Sequence, residues 1–531
     1  MTKLKYLGLT ILSGLLLSLS WPTYGFAGLI FFGFVPLLIV FYKLREKNTK
    51  RLLLESFGWA YLSFFTFNII TTFWLYYSTA FGMWFAVLAN SALMALVFFL
   101  YQFIAKRTTN RNSLVFLLAL WIGFEKLHLQ WEFSWPWLNL GNVFSENIDW
   151  IQWYEYTGTF GGTLWVLVLN LFIFNMYLKM QSKELKLKRN MIGIILLLIV
   201  PIAISYIIKA QYSAYEGKAE VIVLQPNIDP YSDKYYTTDV QVADNLKELI
   251  NQQSPEGDVL ILSPETVFAN GNYLSRFPSS PALRFSNEII AKYPDVSIMN
   301  GISMAEIVRD TTKIKSQTNY HPKGFYYNDY NSAFFVKKDH NPQFYHKSKL
   351  VVGVENFPYQ SFLKPILGDV MIDLGGTVAM KTTQDQRSVF EANEKLKVAP
   401  IICYESVYGE FVTGYVNNGA TLLGIITNDA WWGETQGHKQ HFSYAKLRAI
   451  ETRRSVARSA NTGISGFISP LGEVIKKSEY NERTSLKASV TLNSELTFYA
   501  KYGDYIARMA YFLILFIGIF AILKHKRSVK R

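Results

Sequence analysis

Long apolar runs, almost free of charge and broken by short basic loops, fill residues 1–210. Shorter apolar runs set among polar stretches follow over 211–500, and one last apolar run lies at 507–523. A bilayer core about 30 Å thick is crossed by about 20 mostly apolar helical residues. Seven runs of that kind precede the polar region, at 5–22, 25–42, 53–76, 82–105, 113–129, 159–178 and 190–209, so with 507–523 the pattern predicts eight spans. The first run lacks a small-residue cleavage site and is followed at once by another span, which favours a retained helix over a removable signal.

Between 211 and 500 the period changes. Continuous apolar runs at Glu220–Leu224, Val259–Leu262, Ala399–Cys403 and Leu422–Thr427 predict strands covered on both faces. Val296–Met299, Ser332–Val336, Gln343–His346 and Ile464–Ser469 predict further strands, and Val240–Gln252, Ala282–Lys292 and Gly437–Ala457 predict helices. Such alternation predicts a layered α/β domain. Residues Glu355–Thr382 interrupt it with Pro, Gly and large apolar residues such as Phe357, Tyr359 and Phe362. That segment suits a bilayer surface or a lipid-binding cleft, and equally a loop packed on its own domain; the sequence leaves both open. The division expected is a helical membrane domain at 1–210, an outer catalytic domain at 211–500, and a final span with its tail at 501–531.

Composition adds little until the charges are placed. Half of the 531 residues are hydrophobic, too many for an ordinary soluble enzyme, and Lys and Arg outnumber Asp and Glu 53 to 40. Twenty of those basic residues sit before the first span or after the second, fourth, sixth and eighth, with only Glu46 and Glu184 among them. The opposite loops Trp21–Tyr24, Tyr77–Phe81 and Leu129–Tyr156 hold no Lys or Arg. By the positive-inside rule both termini are expected in the cytoplasm and the domain at 211–500 on the outer face. The net charge of +13 therefore reflects topology and gives no support to a nucleic-acid partner.

One cysteine, Cys403, occurs in the whole chain, at the end of an apolar run and close to Glu405. Most free cysteines are small buried hydrophobes, but a lone thiol at a strand end in charged company fits a nucleophile better. Glu265 follows another strand and a proline, where a carboxylate serves as a helix-start acid or a general base. Lys347 and Lys349 are rival cations in Tyr345-His-Lys-Ser-Lys349. Glu, Lys and Cys in that order supply the parts of covalent acyl transfer. Asn428 and Asp429 suit a turn, Trp431 and Trp432 suit an acyl cavity or, slightly better, core, and Glu125 and Lys126 near a span end suit snorkelling or pairing. His438 and His441 lack accompanying ligands, so no metal is expected, and Gly375-Gly376 lacks the strand-turn-helix setting of a phosphate loop.

The segments Ser263-Pro-Glu265, Tyr345-His-Lys347 with Glu355, and Ile402-Cys-Tyr-Glu405 resemble the nitrilase (carbon–nitrogen hydrolase) superfamily and its Glu-Lys-Cys triad. With seven spans before that domain and one after it, the chain is similar to the apolipoprotein N-acyltransferase family. Thr427-Asn-Asp-Ala-Trp-Trp-Gly433, Gln440-His441, Arg448-Ala-Ile-Glu451, Arg458-Ser-Ala-Asn-Thr-Gly463 and Ser134-Trp-Pro-Trp-Leu138 extend the likeness along the chain.

The resemblance implies an α-β-β-α sandwich beside a polytopic helical domain, in a bacterial inner membrane with the catalytic domain periplasmic. It implies Glu265 as base, Lys347 as oxyanion cation and Cys403 as nucleophile, with Glu355, Tyr404, Glu405, Asn428 and Trp431 in support. Tyr404 and Glu405 would shape the pocket and hold Lys347 or Glu265. The donor implied is a membrane phospholipid, the acceptor a diacylglyceryl apolipoprotein, with no cofactor and a monomeric state; the alternative is a membrane-tethered amidase or nitrilase acting on a small amide. Two departures stand out: the glycine of Val351-Val-Gly-Val-Glu355 is displaced, and Tyr235 replaces a tryptophan after Gln225-Pro-Asn-Ile-Asp-Pro230.

Overall fold

The computed structural model describes residues 2–47, 49–184, 186–213, 217–229, 237–360, 362 and 380–529. Most of the Pro- and Gly-rich segment before Thr382, with Gly375-Gly376, Pro230 and Tyr235, lies outside the described residues, as do the side chains after Leu523. The chain divides into two compact units, Met1–Tyr212 with Tyr502–Arg531, and Ser213–Lys501.

The first unit is helical: Lys3–Leu19, Val35–Lys47 preceded by a tight turn at Ala27–Phe32, Leu52–Thr72, Ala80–Ala105, Asn110–His128, Thr159–Gln181, Leu187–Gln211 and Tyr505–Val529. Among the described residues five helices, Ala27–Lys47, Ala80–Ala105, Thr159–Gln181, Leu187–Gln211 and Tyr505–Leu523, are long and apolar enough to cross a bilayer. Leu187–Gln211 buries only 6% of its most apolar stretch, and Ile192, Ile195, Leu196 and Ile199 face outward, as suits a helix surrounded by lipid tails. The helix break at Ala27–Val35 frees backbone groups that Asn170 takes up, its Nδ2 donating to Ile30 O at 2.9 Å and its Oδ1 accepting from Phe34 N at 2.8 Å. Lys126 and Glu125 pair internally rather than snorkel. Lys126 meets Asp504 at 2.9 Å, while Glu125 accepts from Trp121 Nε1, Leu140 N and Thr163 Oγ1 at 3.0, 2.8 and 2.7 Å.

The second unit has fourteen strands among its described residues. The first eight are β1 (Lys218–Gln225), β2 (Val259–Leu262), β3 (Phe268–Tyr273), β4 (Val296–Val308), β5 (Asn319–His321), β6 (Phe325–Val336), β7 (Gln343–His346) and β8 (Phe390–Glu391). The others are β9 (Lys397–Ile402), β10 (Leu422–Thr427), β11 (Ser455–Ala460), β12 (Gly466–Ile468), β13 (Val474–Lys477) and β14 (Thr484–Thr491). One sheet runs β14-β1-β2-β4-β6-β5, with β3 beside β4 and β7 beside β6; the other runs β13-β12-β11-β10-β9-β8. The central trios β1-β2-β4 and β9-β10-β11 are parallel.

Helices Asp239–Gln253 and Pro281–Lys292 bury Val242, Leu246, Leu249, Phe285 and Ile289 against Ile222, Ile261 and Ile298 of the first sheet. Helix Gln436–Thr452 packs on the second sheet. The two sheets meet face to face. A Cβ on Gly424 of β10 would stand 2.6 Å from Val398, 3.0 Å from Met299 of β4 and 3.1 Å from Leu262 of β2, so glycine lets the layers close. Helix, sheet, sheet and helix thus stack as an α-β-β-α sandwich.

The helix predicted at Gly437–Ala457 ends instead at Thr452. Arg453 caps it in the left-handed region at φ 50°, and the chain turns directly into β11, whose six residues are all buried. Apolar and small residues in that strip suit either element, and no glycine marks the stop.

Candidate active site

The chemistry gathers where strands of the two sheets end. Glu265 follows β2, Lys347 follows β7, Cys403 follows β9 and Asn428 follows β10. β2, β9 and β10 are parallel strands, whose C-terminal ends lie open for such loops, while β7 runs antiparallel beside β6.

Glu265 is fixed by its own turn. Ser263 N donates to Met299 O at 2.9 Å and Ser263 Oγ to Asn300 Oδ1 at 2.6 Å, while Thr266 takes φ 45°. The turn lies directly on Gly301: an added Cβ would collide with the Pro264 carbonyl and stand 2.7 Å from Glu265 Cα. Gly301→Ala is therefore expected to lower stability by about 1–3 kcal/mol and to cut activity further by shifting Glu265. Denaturant unfolding of the purified variant, set beside its rate of acyl transfer, checks both.

Lys347, 1% exposed, donates to Glu265 Oε1 at 2.9 Å and Glu355 Oε1 at 3.0 Å. Asn331 Nδ2 bridges the same two oxygens at 2.7 and 2.9 Å. Burial by itself would lower the Lys347 pKa, but Glu265 and Glu355 override it and hold the ammonium well above its ordinary range. Glu355 shows the counterpart: burial opposes its charge, yet Lys347 and the Val351 N–H keep its pKa below the usual carboxylate value. Gly353, at φ 80°, makes the turn that brings Glu355 back onto Lys347, which accounts for the displaced glycine. Lys349 points elsewhere, its Nζ 5.0 Å from the Tyr408 ring centroid.

Cys403 sits just past β9 with φ 50°, a left-handed conformation that costs a non-glycine residue about 1–2 kcal/mol. The strand stops one residue short of it, at Ile402. Burial pushes the thiol pKa far above the ordinary range, Glu265 pushes the same way, and Lys347 pulls against both. The sulfur thus rests as a thiol on which Glu265 and Lys347 act in opposite senses.

The supporting residues divide. Asn428 N donates to Glu265 Oε2 at 3.2 Å. Tyr404 is buried with its ring edge-on to Tyr408, 5.2 Å between centroids. Glu405 holds Lys347 through the backbone: it accepts from Ser348 N at 2.6 Å, Tyr345 Oη at 2.6 Å and Ile402 N at 2.8 Å, tying the lysine loop to the end of β9. Trp431 and Trp432 are half-buried, so neither is core.

Asn331 was not legible as a site residue; its only signal is an asparagine within the long strand β6, where that residue type is unfavourable. His441 does gain companions that the sequence hides. One donor atom each of Cys403, Asp429 and His441 lies within 4.8 Å of the others. Asp429 is already occupied, however, by Arg458 Nη2 at 2.6 Å, Thr427 Oγ1 at 2.8 Å and His441 Nδ1 at 3.0 Å. A metal there would face the guanidinium. Arg458, before His441, overrides burial and holds the Asp429 carboxylate ionised, its pKa far below the usual value.

A lone thiol, a nearby carboxyl and a locked ammonium are the parts that covalent acyl transfer needs, and a water-sized cavity of about 20 Å³ lies beside Glu265 and Asn428. Residues 13–172 match the family described as apolipoprotein N-acyltransferase N-terminal domain, and residues 302–496 match carbon-nitrogen hydrolase. The apolipoprotein N-acyltransferase of Chlorobaculum tepidum is 27% identical over 98% of this chain and 96% of its own. That of Pasteurella multocida is 27% identical over 98% and 97%. Among solved structures, Saccharomyces cerevisiae Nit3, a member of branch 10 of the nitrilase superfamily, aligns at 13% identity with TM-score 0.37 over 52% of this chain and 93% of that one.

Proposed function

We propose a function from one premise: the chain belongs to the apolipoprotein N-acyltransferase family. It is an N-acyltransferase of lipoprotein maturation, passing an acyl chain to the N-terminal amine of a diacylglyceryl-cysteine. The observation that carries this reading is the buried Lys347 clasped between Glu265 and Glu355, with Glu265 and Lys347 both acting on the Cys403 thiol.

Glu265 takes the thiol proton as Cys403 Sγ attacks the ester carbonyl of a membrane phospholipid. Lys347 and the Tyr404 N–H hold the oxyanion, each such donor worth about 2.7–4 kcal/mol. The lysophospholipid leaves with a proton returned from Glu265, and a thioester remains. The acceptor amine then attacks that thioester, Glu265 again takes the proton, and the amide is released with the thiol restored, so the kinetics are ping-pong.

The same reading assigns eight spans, cytoplasmic termini and a periplasmic catalytic domain to an inner-membrane monomer, divided at 1–210, 211–500 and 501–531. The basic residues confined to alternate loops support that topology.

Intact-mass analysis after incubation with phospholipid tests the chemistry. The expected result is an acyl adduct on Cys403 that hydroxylamine removes and that a diacylglyceryl peptide discharges as N-acyl product. Discharge to water alone, or ammonia released from small amides, would instead support a tethered amidase.

A further inference from the structure

Against the Cys403 backbone, four side chains form a buried chain: Arg458, Asp429, His441 and Ser406. His441 Nε2 lies 3.3 Å from the Cys403 carbonyl oxygen and 3.0 Å from Ser406 Oγ. The Ser406 hydroxyl donates to that same carbonyl at 2.7 Å, so Nε2 faces two acceptors and carries the proton. On the opposite side of the ring, Arg458 Nη2 stands 3.1 Å from Nδ1, with Asp429 Oδ1 at 3.0 Å. Burial first, then Arg458, keeps the His441 pKa below its ordinary value, so the ring is neutral. The donation toward Cys403 is set by the two acceptors in front of Nε2, while Nδ1 is shared between Arg458 Nη2 and Asp429 Oδ1.

The carbonyl of Cys403 and the N–H of Tyr404 belong to one planar peptide and point to opposite sides of it. Fixing the oxygen from behind aims the N–H forward. Cys403 needs such fixing, because its left-handed backbone is held only where surrounding contacts over-determine it. Resting on the acyl-transfer reading above, we propose that His441 is a positioning residue: with Ser406 it clamps the Cys403 carbonyl and so aims the Tyr404 N–H at the developing oxyanion.

The test compares wild type, H441A and H441Q as full-length protein in phospholipid nanodiscs. One readout is the rate of thioester formation on Cys403 by intact mass. The other is Cys403 alkylation by iodoacetamide across neutral to alkaline pH, which uses the thiol but no oxyanion donor. The charged groups acting on that thiol are Glu265, Lys347 and Asp429, all retained in the variants. Expected for H441A is thioester formation about 100-fold slower, with alkylation rate and its rise with pH nearly unchanged. H441Q, whose amide N–H can donate to the same carbonyl, should recover about tenfold of that loss.

Near-wild-type acylation by H441A would overturn the proposal. A parallel fall of alkylation and acylation in both variants would overturn it too, by showing loss of structure alone. A wild-type protein that forms no thioester would remove the acyl-transfer reading itself, a failure distinct from either variant result.

Discussion

Lys347→Met is expected to abolish acyl transfer and to reverse how stability depends on pH. Removing the ammonium leaves Glu265 and Glu355 sharing a buried space, since the two carboxylate oxygens that Lys347 bridges lie 2.9 and 3.0 Å from its nitrogen. Breaking a buried ion pair at one partner costs about 3–5 kcal/mol, because the remaining charge is uncompensated. The two carboxylates can relieve that cost by sharing a proton. In the wild type the Glu355 pKa is lowered, so its contribution is present above the unfolded carboxylate value and fades as pH falls through the folded one. In the variant one carboxyl of the pair has a raised pKa, and its contribution is present below the unfolded value and fades as pH rises. Thermal unfolding of the detergent-solubilised proteins should show wild type weakening toward acid and the variant weakening toward neutrality. A variant with the wild-type pH trend would mean that the lysine is not what keeps those carboxylates apart in charge. Activity should drop by at least about 10²–10³-fold, the worth of a lost oxyanion donor.

The second large effect is at the sulfur. Cys403→Ala should lower acyl transfer by about 10⁴-fold or more, since no other group replaces a lost nucleophile. Its stability should move little, because the side chain is small and one methyl remains. Cys403→Gly makes the sharper comparison. Glycine accepts φ 50° without the penalty that any Cβ incurs there, so this variant should be as inactive as Cys403→Ala and unfold no earlier. If Cys403→Gly unfolds well below Cys403→Ala, the left-handed turn is not strained. Because burial and Glu265 push the thiol pKa up, alkylation of the wild-type enzyme should also keep accelerating as pH rises past neutrality, with no plateau there.

Much of this arrangement could be read from the chain, for physical reasons. β2, β7 and β10 stand where continuous or alternating apolar runs were bounded by polar residues, since burial on both faces leaves little latitude in composition. Cys403 stood out as the lone thiol at the end of such a run and Glu265 as a carboxyl past another, whereas Lys347 was set apart from Lys349 only by the family resemblance. What the sequence hid was partnership across distance. Arg448, Arg454 and Arg458 are all buried, Arg458 within a strand, and no local pattern of apolar positions marks them as such. A buried guanidinium is tolerable only with its partner in place, and Asp429 lies 29 positions away. Asn331 was invisible for the same reason: its worth comes from two glutamates brought in by other segments. β3, β5, β8, β13 and β14 escaped notice because edge and half-exposed strands carry mixed patterns.

Gly424 has a consequence beyond its own strand. Glu265 and Lys347 descend from one sheet, and Cys403 and Asn428 from the other. The gap between Glu265 and the Cys403 sulfur is therefore gauged by how closely two hydrophobic slabs approach, and the absent methyl at position 424 acts as a shim of zero thickness. Inserting that methyl would splay the slabs and draw Glu265 and Cys403 apart with both side chains intact. The spacing of Glu265 and Cys403 can thus be trimmed from the interior, with no change made to either residue.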